Sequence, residues 1–229
     1  MLTFQWTETI RLHILPLLLT ALLAGTGAMA GAWLQEHRKG FLSYSSVYEE
    51  SGRLDGSLFI EYGLRPKLTL GAKVDVDMTS GRLGNGTAFV FLRKPIPTGE
   101  REYKLAYEIG VGSTFGIAMD PLLRTGLSYG KGIKAWEKYG WLAVDGAVEW
   151  AIDDGPNTLK IDSTIGLTLN DRFKVMMQVF VSSADGDVSA TLAPSLIWQP
   201  KKPKAPSIVI GIEGEEGVLA LKFGMWQSF

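Results

Sequence analysis

Cysteine is absent from the 229 residues, and histidine occurs twice, at His13 and His37. The first absence excludes disulfides, thiolate metal sites and cysteine nucleophiles together, so an exported form of the chain is held by hydrogen bonds and packing alone. The second removes the usual general base. His13 lies in an apolar leader and His37 in a polar lead-in, so neither is placed to activate a serine inside a fold. An excess of either charge is also missing: 23 Lys+Arg against 24 Asp+Glu leave a net charge of −1. Nothing in that balance points to nucleic acid. Beyond the leader no apolar run is long enough for a spanning helix, which needs about 20 residues. A membrane form of this chain is therefore a closed barrel, the other structure that satisfies every backbone group in lipid.

What is present begins with that leader. Arg11 supplies a basic start, Ile14 to Leu23 an apolar stretch, and Ala28-Met29-Ala30 a small-x-small cleavage pattern. Residues 1–30 read as a signal peptide and 31–229 as the mature domain, beginning at Gly31. Trp33 to Lys39 is a polar lead-in without a period, placed in the periplasm. Gly 27 and an aromatic share of 10% suit a turn-rich all-β chain.

Amphipathic segments then follow one another at intervals of roughly 16 residues, as expected of short spans joined by turns. They centre in Phe41–Tyr48, Leu58–Leu64, Leu68–Met78, Thr87–Arg93, Tyr103–Gly112, Leu122–Lys131, Trp141–Trp150, Thr158–Leu169, Phe173–Val181, Val188–Gln199, Ser207–Glu213 and Val218–Phe229. In the third, Leu68, Leu70, Ala72, Val74, Val76 and Met78 oppose Thr69, Gly71, Lys73, Asp75 and Asp77. That is the two-residue period of a strand with one apolar face. A charge facing lipid at mid-depth costs about 2–4 kcal/mol, so the charged face points into a lumen or water.

The connections fall into two alternating classes. Gly63–Leu68 and Leu169–Phe173 are tight; Thr79–Gly86, Ser113–Pro121, Asp153–Asn157 and Ser183–Asp187 are Gly- and Asp-rich and mostly longer. Read as periplasmic turns and extracellular loops, they put both termini in the periplasm and require an even strand number. Lys94–Arg101 and Gln199–Pro206 are proline-stiffened periplasmic connections. Tyr62, Tyr103, Tyr139 and Trp198 fall near the periplasmic rim, and Tyr48 and Trp150 near the outer one, as girdle aromatics would. Pro194 inside the tenth segment predicts a bulge or kink.

The chain ends in a strand whose apolar face carries Leu219, Leu221, Phe223, Met225 and the terminal Phe229. This ending resembles the closing strand of Gram-negative outer-membrane β-barrels, from which it departs at Gln227, where that superfamily usually has an apolar residue. The resemblance implies that Phe229, Met225, Phe223 and Leu221 form the signal read by the barrel-assembly machinery, with outer-membrane lipid as the surroundings. The expected fold is all-β: a single closed antiparallel transmembrane β-barrel of about 12 strands.

The inward set is then Glu61, Lys73, Asp75, Asp77, Arg93, Lys104, Glu108, Arg124, Asp145, Glu149, Lys160, Asp162, Lys174, Glu213 and Lys222, seven basic and eight acidic. Two roles are open to them: paired ladders filling a narrow interior, or charge rings of a hydrated pore for small polar or ionic solutes. About eight strands already suffice for a filled interior, so about twelve favour a passage. The expected function is a porin-like passive channel and not an enzyme. A non-conducting structural or partner-binding barrel and a soluble periplasmic β-protein are the alternatives. Asp75 and Asp77 share a face but have Lys73 beside them, which favours ion pairing over a proton-sharing dyad. Asp153-Asp154-Gly155 and Asp185-Gly186-Asp187 lack a full calcium ligand set, and Gly130-Lys131-Gly132 lacks the rest of a phosphate loop. No cofactor and no metal are expected, and the solute is unspecified.

Overall fold

The computed structural model describes residues 31–79, 82–117, 119–153, 155–202 and 204–229. The expected signal peptide, residues 1–30, lies outside them. The described residues form twelve strands: β1 (Gly40–Glu49), β2 (Arg53–Arg65), β3 (Leu68–Thr79), β4 (Arg82–Ile96), β5 (Tyr103–Phe115), β6 (Pro121–Ala135), β7 (Lys138–Ala151), β8 (Thr158–Thr168), β9 (Phe173–Ala184), β10 (Asp187–Trp198), β11 (Ser207–Glu215) and β12 (Val218–Ser228). Each pairs with its chain neighbours, and β1 pairs with β12, so the antiparallel sheet closes into a barrel.

Closure is made by the two ends of the strand set. Gly40 N donates to Phe229 O at 2.7 Å, and Phe229 N donates to Gly40 O at 3.0 Å. The Phe229 ring lies over Gly40, where a Cβ would sit 2.3 Å from it. Both chain ends of the strand set therefore lie at one end of the barrel, here termed the terminal end.

Strand faces follow from the period of two. Leu58, Val90, Leu92, Ile109, Val111, Leu127, Ile161, Ile165, Leu221 and Phe223 are all exposed on the outside, a wide apolar surface of the kind that lipid covers. The inward face alternates large and small residues. A Cβ at Gly71 would lie 2.1 Å from the Phe91 ring, and one at Gly112 would lie 2.4 Å from the Phe89 ring. Glycine on one strand thus makes room for a ring on the next.

Four expectations from the sequence are corrected. Most of the expected loop Thr79–Gly86 is strand: β3 runs to Thr79 and β4 starts at Arg82, with Thr79 opposite Arg82 and a register shift between Val76 and Met78. Gly84 and Gly86 are strand positions beside a bulge. Ser183–Asp187 is likewise a tight connection, turned at Asp185 and Gly186 with φ of 51° and 89°, the left-handed pair a two-residue hairpin needs. Pro194 makes no bulge: its pairing with Met177 is in regular register, and the β11 ladder keeps its register from Leu192 to Ser195 while skipping the proline. The missing N–H costs one link without shifting the strand. Tyr62, Tyr103, Trp198, Tyr48 and Trp150 lie on the outward face, whereas Tyr139, opposite Lys134 in the β6–β7 register, lies on the lumen-side face with Lys134 Nζ 5.9 Å from its ring.

The lead-in is the largest departure. Residues 31–39 do not hang free but fold against the inner wall at the terminal end. Arg38 N donates to Gly63 O and Gly63 N to Lys39 O, both at 2.9 Å, and a Cβ at Gly63 would lie 2.0 Å from Glu36 O. Gly63→Val is therefore expected to keep the closed barrel, read as heat-modifiable gel migration, while expelling this segment. Limited trypsin digestion of the folded protein should then cleave after Arg38 or Lys39 several-fold faster, and unchanged protection would refute the packing.

A charged lumen with a folded-in lead segment

The register carries all fifteen charges named above on the inward face of their strands. Most of the ones in the middle of the barrel join a single chain of contacts. Arg93 Nη1 donates to Glu61, and its Nη2 reaches Glu108 Oε2 at 2.6 Å. Arg124 Nε donates to Glu108 Oε1 at 2.8 Å and its Nη1 to Glu149 Oε1 at 2.7 Å. Lys160 Nζ closes the series at 3.0 Å from Glu149 Oε2. Cross-strand geometry makes this run: Arg93 is directly opposite Glu108, and Arg124 is directly opposite Glu149. Glu61, Arg93, Glu108 and Glu149 are 5% exposed or less, so these pairs are screened far less than surface pairs.

The other charges lie around this series. Lys73 pairs with Asp75 at 3.0 Å, and Ser57 Oγ donates to Asp75 Oδ1 at 2.6 Å. On the opposite wall Lys222 Nζ contacts Glu213 Oε1 at 2.7 Å and Gln178 Oε1 at 3.2 Å, and stands 5.1 Å over the Phe180 ring. Asp77 lies at the far mouth with Asp55, Asp75 and Asp120, around a cavity of about 540 Å³. Lys104 lies at the terminal end with Arg65, Lys67 and Lys94, around one of about 700 Å³. Lys174 is buried beside Phe41 and Gln199. Asp145 faces Ser128 on β6 and Asp162 on β8.

Between the walls lies a cavity of about 250 Å³, bounded by Phe59, Lys73, Arg93, Arg124, Asp145, Asp162, Gln178 and Lys222 on the polar side and by Trp141, Met176, Val209 and Trp226 on the apolar side. Trp141, Met176, Ile197 and Val209 form a buried cluster against which Trp33 and Trp226 pack. The lumen is thus split lengthwise. Strands β2 to β8 supply most of the ion pairs, with Lys222–Glu213 on β12 and β11 as the exception, and β7 to β12 supply the buried apolar cluster.

The lead segment bridges these halves. Gln35 N donates to Thr69 Oγ1 and its Nε2 to Glu61 Oε2, both at 3.0 Å. The Trp33 ring covers Gly130, where a Cβ would lie 2.3 Å from it. Sequence reasoning missed Gln35, Trp33 and Gly63 as lumen residues, and placed Thr69 on the charged face of its strand without giving it a partner. A lone tryptophan in a polar stretch was the available hint, but no period tied it to a partner.

No family model matches the sequence, and no curated protein matches it. Solved structures do match the fold. The KdgM porin superposes with a TM-score of 0.57 at 13% identity, covering 82% of this chain and 99% of that one. The NanC porin gives 0.57 at 11%, covering 82% and 98%. An outer-membrane channel from Pseudomonas putida F1 gives 0.51 at 11%, covering 88% and 100%. The fold is that of porin-like outer-membrane barrels.

Removing one partner of a buried pair leaves the other charge uncompensated, at a cost of about 3–5 kcal/mol. Arg93→Met leaves Glu61 without a counter-charge and Glu108 with Arg124 alone, and is expected to lower stability by about that amount in urea titrations of the refolded barrel. Lys134→Met, at the exposed pair with Glu137, should cost less than about 1 kcal/mol. Equal losses would mean that water screens both sites alike.

Proposed function

We propose that this chain is an outer-membrane channel of the porin kind for small polar or ionic solutes, narrowed at its terminal end by residues 31–39. The reading places both termini in the periplasm, after removal of residues 1–30, and takes Phe229, Met225, Phe223 and Leu221 as the contact with the assembly machinery. The observation that carries it is an apolar exterior around a charged interior that still holds a cavity of about 250 Å³. An interior meant only as filler has no need of a polar, unfilled centre.

The ion pairs bear on the solute. Arg93 and Arg124 are each engaged by two carboxylates, so among the described residues the middle of the lumen shows no run of unpaired cations of the kind that would draw a long polyanion. Small solutes of either sign fit that balance better. A hydrolytic barrel is disfavoured because His37, the one histidine among the described residues, is exposed on the lead segment. The competing reading, a non-conducting structural barrel, draws on the lead segment and the paired charges, which together occupy much of the interior.

Planar-bilayer recording of refolded protein separates the two. The mature chain is expected to show small single-channel steps, and deletion of residues 31–39 to enlarge them several-fold with little preference between potassium and chloride. Absence of conductance in both forms would reject the channel.

A further inference from the structure

Gly31 is buried in the lumen, where a Cβ built on it would lie 2.5 Å from Asp145 Oδ1 and 2.4 Å from Ser128 Oγ. Its α-nitrogen is bonded to the same Cα and stands about 2.5 Å from that Cβ position, which keeps it within roughly 5 Å of the same two side chains. Asp145 Oδ1 is buried and has no hydrogen-bond partner, an arrangement that is costly for a carboxylate. Independently, the register sets Asp145 directly opposite Asp162, and like charges so placed destabilise a sheet. Neither aspartate belongs to any of the ion pairs described above. Arg93 is also near, with Cζ 3.0 Å from the same Cβ position, but its charge is shared between Glu61 and Glu108. The middle of the lumen therefore carries more carboxylate than cation, and the surplus sits beside Gly31.

We propose that processing after Ala30 creates an ammonium group at Gly31 that binds Asp145 and Asp162 inside the barrel and fastens the lead segment in the lumen. Hydrolysis of the Ala30–Gly31 amide leaves a carboxylate on Ala30, which departs with the leader, and an amine on Gly31 that takes up a proton. One neutral N–H donor is replaced by a charged group with three. The segment is then held at its inner end by Asp145, in its middle by Gln35 on Glu61, and at its outer end by Arg38 and Lys39 on Gly63. Leader removal becomes a step that completes the lumen as well as releasing the chain.

The idea extends the reading of residues 31–39 as an obstruction, and its test does not use conductance, so a silent channel leaves it standing. Mature protein beginning at Gly31, verified by mass spectrometry, is treated in its folded and urea-unfolded forms with a water-soluble acylating reagent near neutral pH. There an α-amine, with a pKa of about 7.7–8.0, reacts ahead of lysine at about 10.4. The folded α-amine is expected to react about tenfold more slowly, as a group reached only by local opening does. Asp145→Asn should remove most of that protection, while Asp171→Asn, in an exposed turn, should not. An Ala-Ala extension ahead of Gly31 leaves every barrel residue intact, covers the case in which Asp145→Asn fails to fold, and should label at nearly the unfolded rate. Equal rates for the folded and unfolded mature chain, or full protection of the extended chain, would overturn the proposal, as would a native amino terminus at another residue.

Discussion

The fold depends on the pairing of Gly40 with Phe229. A sheet in lipid has no tolerance for an open edge, because each unpaired N–H or C=O there costs several kcal/mol. Twelve hairpin-linked strands leave two such edges until β1 meets β12, and the reciprocal bonds between Gly40 and Phe229 begin that seam. Glycine at position 40 lets the terminal ring lie across the junction. Once the cylinder is closed, each strand has one outer face and one lumen face, and side-chain chemistry is sorted by parity.

Parity is the part that the sequence displays openly. Lys73, Asp75 and Asp77 alternate with Val74, Val76 and Met78, and only a two-sided strand makes sense of them. The same logic carries through Glu108 with Ile109 and Lys160 with Ile161. Turn chemistry was less legible. Gly84 and Gly86 look like loop residues, yet they are strand positions: Gly86 is opposite Val76, and a Cβ there would meet the Phe115 ring at 2.3 Å. Glycine signals a loop and a close approach equally well, and only the neighbouring strand decides which. Tyr139 and Pro194 are similar cases, since a rim aromatic points by register rather than by height, and a proline in a strand loses one bond without necessarily bending it.

The site was legible as a list of charges but not as a network. Which carboxylate Arg93 meets depends on strand stagger, and composition near neutrality is compatible with many pairings. The lead segment was not legible at all. Trp33, Gln35 and His37 follow no period, because the segment belongs to no strand of the sheet; it is recognised instead by residues far along the chain, Thr69, Gly63 and Gly130. Such a segment is specified by its receptor surface, and the marks of that surface are small residues whose reason lies elsewhere.

The lengthwise split of the lumen follows from these facts. A barrel of this girth cannot be filled by its own inward side chains, as narrower ones are, so material must be added or water admitted. On the β7 to β12 side, Trp141, Met176, Ile197 and Val209 supply bulk, and Trp33 adds to it from the lead segment. On the β2 to β8 side, polar groups prevail, and buried charge is tolerable only where it is compensated. The run from Glu61 to Lys160 meets that condition, with Gln35 capping its end at Glu61. One short segment thereby serves both halves, apolar through its indole and polar through its amide, and its position fixes how much of the remaining space stays open.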